Sequence, residues 1–250
     1  LFLNNRQSEA EKIIRSLYST KEAEGLILDI TKDNQNITSS ESIFNKKYSF
    51  IVMLAFLIAA FNQLSGINAF LYYAPRIFEE AGLGESIALL NSVGIGLTNV
   101  IFTYVGINLI DRLGRRTLMY IGSFGYIVSL SLISISFFLE WEGIFLPLFF
   151  FLFIASHAIG QGAIIWVYIS EIFPNNIRSY GQSFGVSTHW ILAAIIPSFI
   201  PFLFGFIGPG FVFSFFALMM VFQLLFVHFI MPETKGISLE DLSKKLIKIE

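Results

Sequence analysis

A chain of 250 residues that is 55% hydrophobic and 14% charged lies outside the usual composition of soluble domains and belongs in a bilayer. Its formal charge of -2 points to no nucleic acid or other polyanion. The lack of Cys excludes disulfide scaffolds and Cys-based zinc sites.

Residues 1–47 are polar and charged, and Arg6 to Leu17 places Ala10, Ile13, Ile14 and Leu17 on one stripe, the pattern of a short amphipathic helix. The Asn- and Thr-rich run Thr31 to Ser40 reads as a loop. A signal peptide is excluded, because acidic residues precede an apolar run that is too long and too late. Segments of bilayer length follow, each of about 20 residues for a hydrocarbon core of roughly 30 Å. They are Tyr48 to Tyr73 with a shorter continuation to Ala81, Ser86 to Ile110, Thr117 to Leu139, Ile144 to Ser170, Ser179 to Phe204, and Pro209 to Met231. The tail, 232–250, ends in a charged amphipathic helix from Ile237 to Ile249. With Leu1 at its start, the chain is expected to be a fragment.

Six spans put both termini on one side of the membrane. Arg76 is the only basic residue assigned to the opposite side, whereas Lys46, Lys47, Arg112, Arg115, Arg116, Arg178, Lys235 and Lys244 fall in the termini or in the second-to-third and fourth-to-fifth loops. The positive-inside rule makes that side cytoplasmic, with Glu79, Glu80, Glu85, Glu140 and Glu142 outside. The spans also form two triplets, each opened by a helix that Gly interrupts: Ser65-Gly66 before Pro75 in the first, Gly160-Gln161-Gly162 before Trp166 in the fourth. Matching broken helices in two halves of a repeat point to a transport site.

An unpartnered amide costs several kcal/mol in hydrocarbon, so the amides and phenols of Asn62 to Tyr73 are expected to face protein, water or a polar ligand. On a regular helix Asn62, Ser65, Asn68 and Tyr72 share an arc of roughly 120°, but Gln63 and Asn68 diverge by about 140°. For both to reach one ligand, the helix must unwind near Gly66. Interhelical glue is the alternative role of such amides. Asn99 in the second span stands equally between ligand contact and glue. Trp166 and Trp190 offer flat apolar faces with one donor each, suited to a pyranose, or plain packing. His189 reads as neutral hydrogen-bonded structure or as a proton relay. On the cytoplasmic side, carboxylate pairs between Arg115, Arg116 or Arg178 and Glu171 are expected to form a latch. The three His residues lack ligand spacing, and no nucleophile with a base or phosphate loop is present, so neither a metal centre nor an enzyme is indicated.

Gln63-Leu64-Ser65-Gly66-Ile67-Asn68 with Tyr72-Tyr73, then Asp111-Arg112-Leu113-Gly114-Arg115-Arg116, then Ser170-Glu171-Ile172-Phe173-Pro174 with Arg178, then Pro232-Glu233-Thr234-Lys235-Gly236, together resemble the sugar porter family of the major facilitator superfamily. The resemblance implies an all-α polytopic membrane protein, with six transmembrane helices forming the C-terminal half-bundle of a twelve-helix transporter built as a 3+3 inverted repeat. The N-terminal half would be the missing partner. Residue by residue, it implies sugar contacts from Gln63, Asn68, Asn99 and Trp166, with Asn62 beside them and Trp190 in the pocket wall. It further implies an outer gate at Tyr72 and Tyr73, and a cytoplasmic charge network of Asp111, Arg112, Arg115, Arg116, Glu171 and Arg178. Where animal facilitators carry a Pro-rich run, this chain reads Gly160 to Trp166 as bacterial members do, which puts Gln161 forward as a further contact. The function so implied is transport of a neutral hexose or pentose by alternating access, coupled to H+ symport and needing no cofactor. Any coupling carboxylate would lie in the missing half, since no Asp or Glu sits mid-span. A polyol or inositol substrate, or a transporter-like sugar sensor, is the alternative.

Overall fold

A computed structural model describes residues 6–36, 42–80, 82, 84–141 and 145–247. Glu142, and the expected boundaries at Ala81, Ile144 and Ile249, lie outside these. Helices α1 (Gln7–Leu17) and α2 (Thr20–Asn36) precede the apolar region. Residues 31–36, expected as loop, are the last turns of α2: they contain no Gly or Pro to stop it, and the Thr31 hydroxyl bonds back to the Ile27 carbonyl.

The apolar region is α3 (Ser49–Leu64), α4 (Ile67–Glu80), α5 (Glu85–Leu113), α6 (Arg115–Phe138), α7 (Phe145–His157), α8 (Ala163–Ile172), α9 (Arg178–Ile207) and α10 (Pro209–Phe229), with α11 (Leu239–Leu246) in the tail. Among the described residues, six helical runs are long and apolar enough to cross a bilayer: 46–79, Glu85–Leu113, Arg115–Phe138, 145–172, Arg178–Ile207 and Pro209–Phe229. The first and fourth are the interrupted ones, as their glycines require.

The break between α3 and α4 is a capped helix end. Gly66 lies in the left-handed region at φ +81° and donates its N–H to the Gln63 carbonyl at 3.0 Å. The Ser65 hydroxyl bonds the Asn62 carbonyl at 2.6 Å and accepts from the Ile67 N–H at 3.3 Å. Only Gly takes that φ without strain, and a Cβ here would stand 2.5 Å from the Phe216 ring. Pro75, expected near the interruption, sits inside α4. In the fourth span, residues 158–162 form a π-helical turn between α7 and α8, with Gly160 at φ -86°, ψ -106°. There α6 comes so close that a Cβ on Gly160 would lie 2.8 Å from the Gly122 Cα.

The apolar core divides into two layers. One holds Ile51, Leu54 and Ile58 of α3, Ile110, Leu118, Ile165, Ile169, Phe173, Phe226 and Leu242. The other holds Phe70, Phe78, Ile95, Tyr126, Leu130, Phe150, Phe153, Ile200, Phe213 and Phe216. Every span runs through both layers and places polar groups in the interval between them: Asn62, Gln63 and Ser65; Asn99; Ser123; His157 and Gln161; His189; and Gln223. The bundle therefore carries a polar belt at mid-depth, level with both helix breaks.

Candidate functional site

The break at Gly66 decides how the belt is wired. With the helix unwound, Asn68 swings back to Gln63, and its Nδ2 donates to Gln63 Oε1 at 2.9 Å. Gln63 Nε2 in turn donates to Asn62 Oδ1 at 2.9 Å and lies 3.2 Å and 3.3 Å from Nδ1 and Nε2 of His189 on α9. Gln63 is the hub of this network and only 1% exposed; Asn68 is half-buried. The expected convergence of Gln63 and Asn68 across the break is present, with His189 as the third member.

Trp166 stacks edge-on against His189, with ring centroids 4.9 Å apart, and is 41% exposed. Its neighbour across the same imidazole is Trp190, at 5.1 Å and more than half exposed. The broken α3–α4 helix, the segment after the π turn and α9 thus meet at one imidazole. An amide rim with an aromatic wall can receive a neutral polyhydroxy ligand: hydroxyls exchange with the amide bonds, and C–H faces lie on the indole.

The remaining expected contacts are placed differently. Asn99 is half-buried on α5, where its Oδ1 accepts from the Thr103 hydroxyl at 3.5 Å. Gln161 is fully buried between helices, and its Nε2 donates to Gln223 Oε1, whose own Nε2 donates to the Ser123 hydroxyl at 2.7 Å. Interhelical glue, rather than an open contact, describes that geometry, though Gln161 Oε1 has no partner among the described residues. Tyr72 is exposed and Tyr73 half-buried on α4, with Tyr73 packed on the second core layer. Gln223 and Ser123 escaped the sequence reading; a lone Gln in an otherwise apolar span was the available signal.

At the end of the bundle where α5 meets α6, Arg115 grips Glu171 with two bonds, Nε to Oε2 at 3.1 Å and Nη2 to Oε1 at 2.7 Å. Its Nη1 reaches Asp111 at 3.0 Å. The Thr234 hydroxyl donates to Glu171 at 2.6 Å. Glu233 was not among the expected network members, yet its carboxylate accepts the backbone N–H groups of Arg115 and Arg116, each at 3.0 Å, capping the positive end of α6. Arg116 and Arg178 do not join Glu171. Arg116 donates to the Val227 and His228 carbonyls at the C-terminus of α10, and Arg178 Nε to the Phe173 carbonyl at 3.1 Å. Both guanidiniums satisfy helix-end carbonyls that lack intrahelical partners. The Arg112 side chain is exposed, and its carbonyl accepts from Lys235 Nζ at 2.6 Å. A cavity of about 430 Å³ opens beside Asp111, Arg115, Glu171, Thr234 and Leu242.

Residues 1–246 match the family described as sugar (and other) transporter. The arabinose-proton symporter of Bacillus subtilis is 35% identical over 217 residues, 86% of this chain and 46% of its own length. The glucose facilitated diffusion protein of Zymomonas mobilis is 32% identical over 253 residues, covering 98% and 53%. Among solved structures, the proton:xylose symporter XylE bound to 6-bromo-6-deoxy-D-glucose superimposes with a TM-score of 0.83 at 28% identity, over 97% of this chain and 52% of that one. The inward open conformation of XylE from E. coli gives 0.73 at 27% identity, over 96% and 50%. The chain spans about half the length of the curated relatives it matches. With the family match running from Leu1 to Leu246 and the fold shared with a solved symporter, the chain belongs to the sugar transporters of the major facilitator superfamily.

Proposed function

We propose that the full-length protein moves a neutral monosaccharide, a hexose or pentose, across the cell membrane by alternating access with proton symport. The observation that carries this reading is the meeting of Asn62, Gln63, Asn68, His189 and Trp166 at the two helix breaks. These amides satisfy one another, so sugar hydroxyls can replace their bonds one for one without stranding a buried polar atom. An anionic substrate would need Arg or Lys at this depth, and the spans carry theirs at their ends. Relatives named for arabinose, xylose and glucose support the sugar class, and those named as symporters support the coupling.

In this reading Asn99 and Trp190 line the pocket, Gln161 braces it from behind, and Tyr72 with Tyr73 closes it from outside. The Arg115–Glu171–Thr234 network latches the cytoplasmic side, to which 1–47 and 232–250 belong. Arg178, whose Nε holds the Phe173 carbonyl, steadies the same end of the bundle, and the other half of the transporter supplies the coupling carboxylate. The test is uptake of labelled D-glucose, D-xylose and L-arabinose into vesicles by the full-length protein, with and without a protonophore. Asn68→Ala and Trp166→Ala should each lower uptake at least about tenfold, the loss of roughly 1.4 kcal/mol of binding. Wild-type uptake in both variants overturns the site. Transport of myo-inositol or xylitol in preference to all three sugars overturns the substrate class.

A further inference from the structure

His189 holds a position that sugar recognition alone does not explain. It is the one imidazole bonded to the amide hub, and both tryptophans of the site lean on its ring. Gln63 has just two amide hydrogens. One goes to Asn62 and the other toward the His189 ring, whose two nitrogens lie almost equally far from Nε2, at 3.2 Å and 3.3 Å, so the amide N–H faces the imidazole as a whole rather than one of its nitrogens. Gln63 is thereby oriented with Oε1 toward Asn68. The direction of the whole run, Asn68 to Gln63 to His189, depends on the ring being uncharged, because a cation repels the amide N–H that faces it.

We propose that His189 is a proton-operated positioning residue of the sugar site: its neutral form sets the amide hub for sugar, and its protonation reverses the hub and weakens binding. An imidazolium has two N–H donors and no acceptor. Gln63 Nε2 would then face a positively charged ring, and the amide must turn over to present Oε1. Asn68 loses its acceptor in that turn, and both amides offer the ligand the opposite pattern of donors and acceptors. The proposal rests on the sugar-site reading above.

Few other groups can substitute for His189 as the titrating element. His157 of α7 is the other imidazole within electrostatic reach, but it is bonded to the Tyr126 hydroxyl of α6 and does not touch the amides. Helix α3 contributes no charged side chain. Arg76 and Glu79 of α4, Glu171 and Tyr168 of α8, Arg178 and Tyr180 of α9, and His228 of α10 lie toward the helix ends; Arg178, for example, is about 16 Å from His189 along α9 by helical rise.

The experiment measures dissociation constants of D-glucose, D-xylose and L-arabinose for purified full-length protein between about pH 5 and 8, the range in which imidazoles change charge, comparing wild type with His189→Gln and His189→Asn. Both amides can accept from Gln63 at every pH. The sugar is the one of the three bound most tightly. The quantity read is the ratio of wild-type to variant dissociation constants, from which titrations elsewhere in the transporter cancel. That ratio should rise as pH falls, approaching roughly tenfold per pH unit once the neutral form is the minority. A ratio independent of pH, or one falling with acid, overturns the proposal. Loss of binding in Asn68→Ala shows that the site reading stands in either case, and its retention shows that the site reading itself has failed. Should neither His189 variant fold, ¹⁵N-histidine spectra of wild-type protein decide. Saturating sugar should move one imidazole's charge change to lower pH by linkage, and titrations of all imidazoles unmoved by sugar overturn it.

Discussion

Gln63 and Arg115 are each spent on geometry rather than on simple attraction. Gln63 ties two neighbours on a broken helix to an imidazole on another. Arg115 divides its donors among Glu171, Asp111 and the Ile110 carbonyl. Because the Arg115 and Glu171 side chains are largely withdrawn from water, removing one leaves a poorly solvated charge. Glu171→Leu should therefore cost about 3 kcal/mol, read as lower thermal stability of the purified protein. Glu171→Gln keeps an acceptor for Thr234 and should cost less. Gly66→Ala combines a left-handed backbone with a Cβ 2.5 Å from the Phe216 ring, and should destabilise by about 2–4 kcal/mol. Adding Phe216→Leu should recover only the steric share, since the backbone strain at φ +81° remains. A full recovery in the double variant would show that the ring, and not the φ, makes the position Gly.

The two broken helices use different devices for one purpose. The first span stops and restarts through a left-handed Gly capped by the Ser65 hydroxyl. The fourth widens into a π turn that α6 can approach because neither Gly122 nor Gly160 carries a side chain. Gly160→Ala puts a Cβ within 2.8 Å of backbone rather than of a yielding side chain, so α6 and α7 must separate. That variant should lower both stability and uptake in the full-length protein, whereas Gly205→Ala, which meets nothing within 4 Å, should change neither. At the other end, Glu233 accepts four backbone N–H groups, from Arg115, Arg116, Thr234 and Lys235. Glu233→Ala removes this cap and should cost about 1–2 kcal/mol in thermal unfolding.

Across the whole molecule, two apolar layers enclose a belt to which every span contributes a polar group. Helices α5 and α9 leave long apolar faces exposed, including Val93, Leu97 and Val100 on one and Ile191, Ile195 and Phe199 on the other. In the proposed transporter these faces would be covered by lipid or by the helices of the other half. These 250 residues contain no Cys, so once any cysteine elsewhere in the full-length protein is replaced, single cysteines introduced here report orientation directly. One at Arg112 should react with an impermeant thiol reagent only from the cytoplasmic side, and one at Glu85 only from outside. The reverse pattern would invert the proposed topology.

Bilayer length and apolar composition were enough to set the class, the six spans and the places where the first and fourth must break, because Gly and Pro act locally. Charge placement, another one-dimensional property, supplied the expected orientation, which the thiol labelling above tests. Partnership was not legible in that way. Gln63 and Asn68 could be matched across Gly66 by angle alone, but nothing in the spacing told Gln161 to face Gln223 or Arg116 to cap α10. Those choices depend on which helices become neighbours, and a buried donor takes whichever acceptor the packing brings within about 3 Å. The same holds for His189: composition marked it as an unusual intramembrane imidazole, and only the tertiary fold placed it against Gln63, where its protonation state sets the direction of the hydrogen bonds.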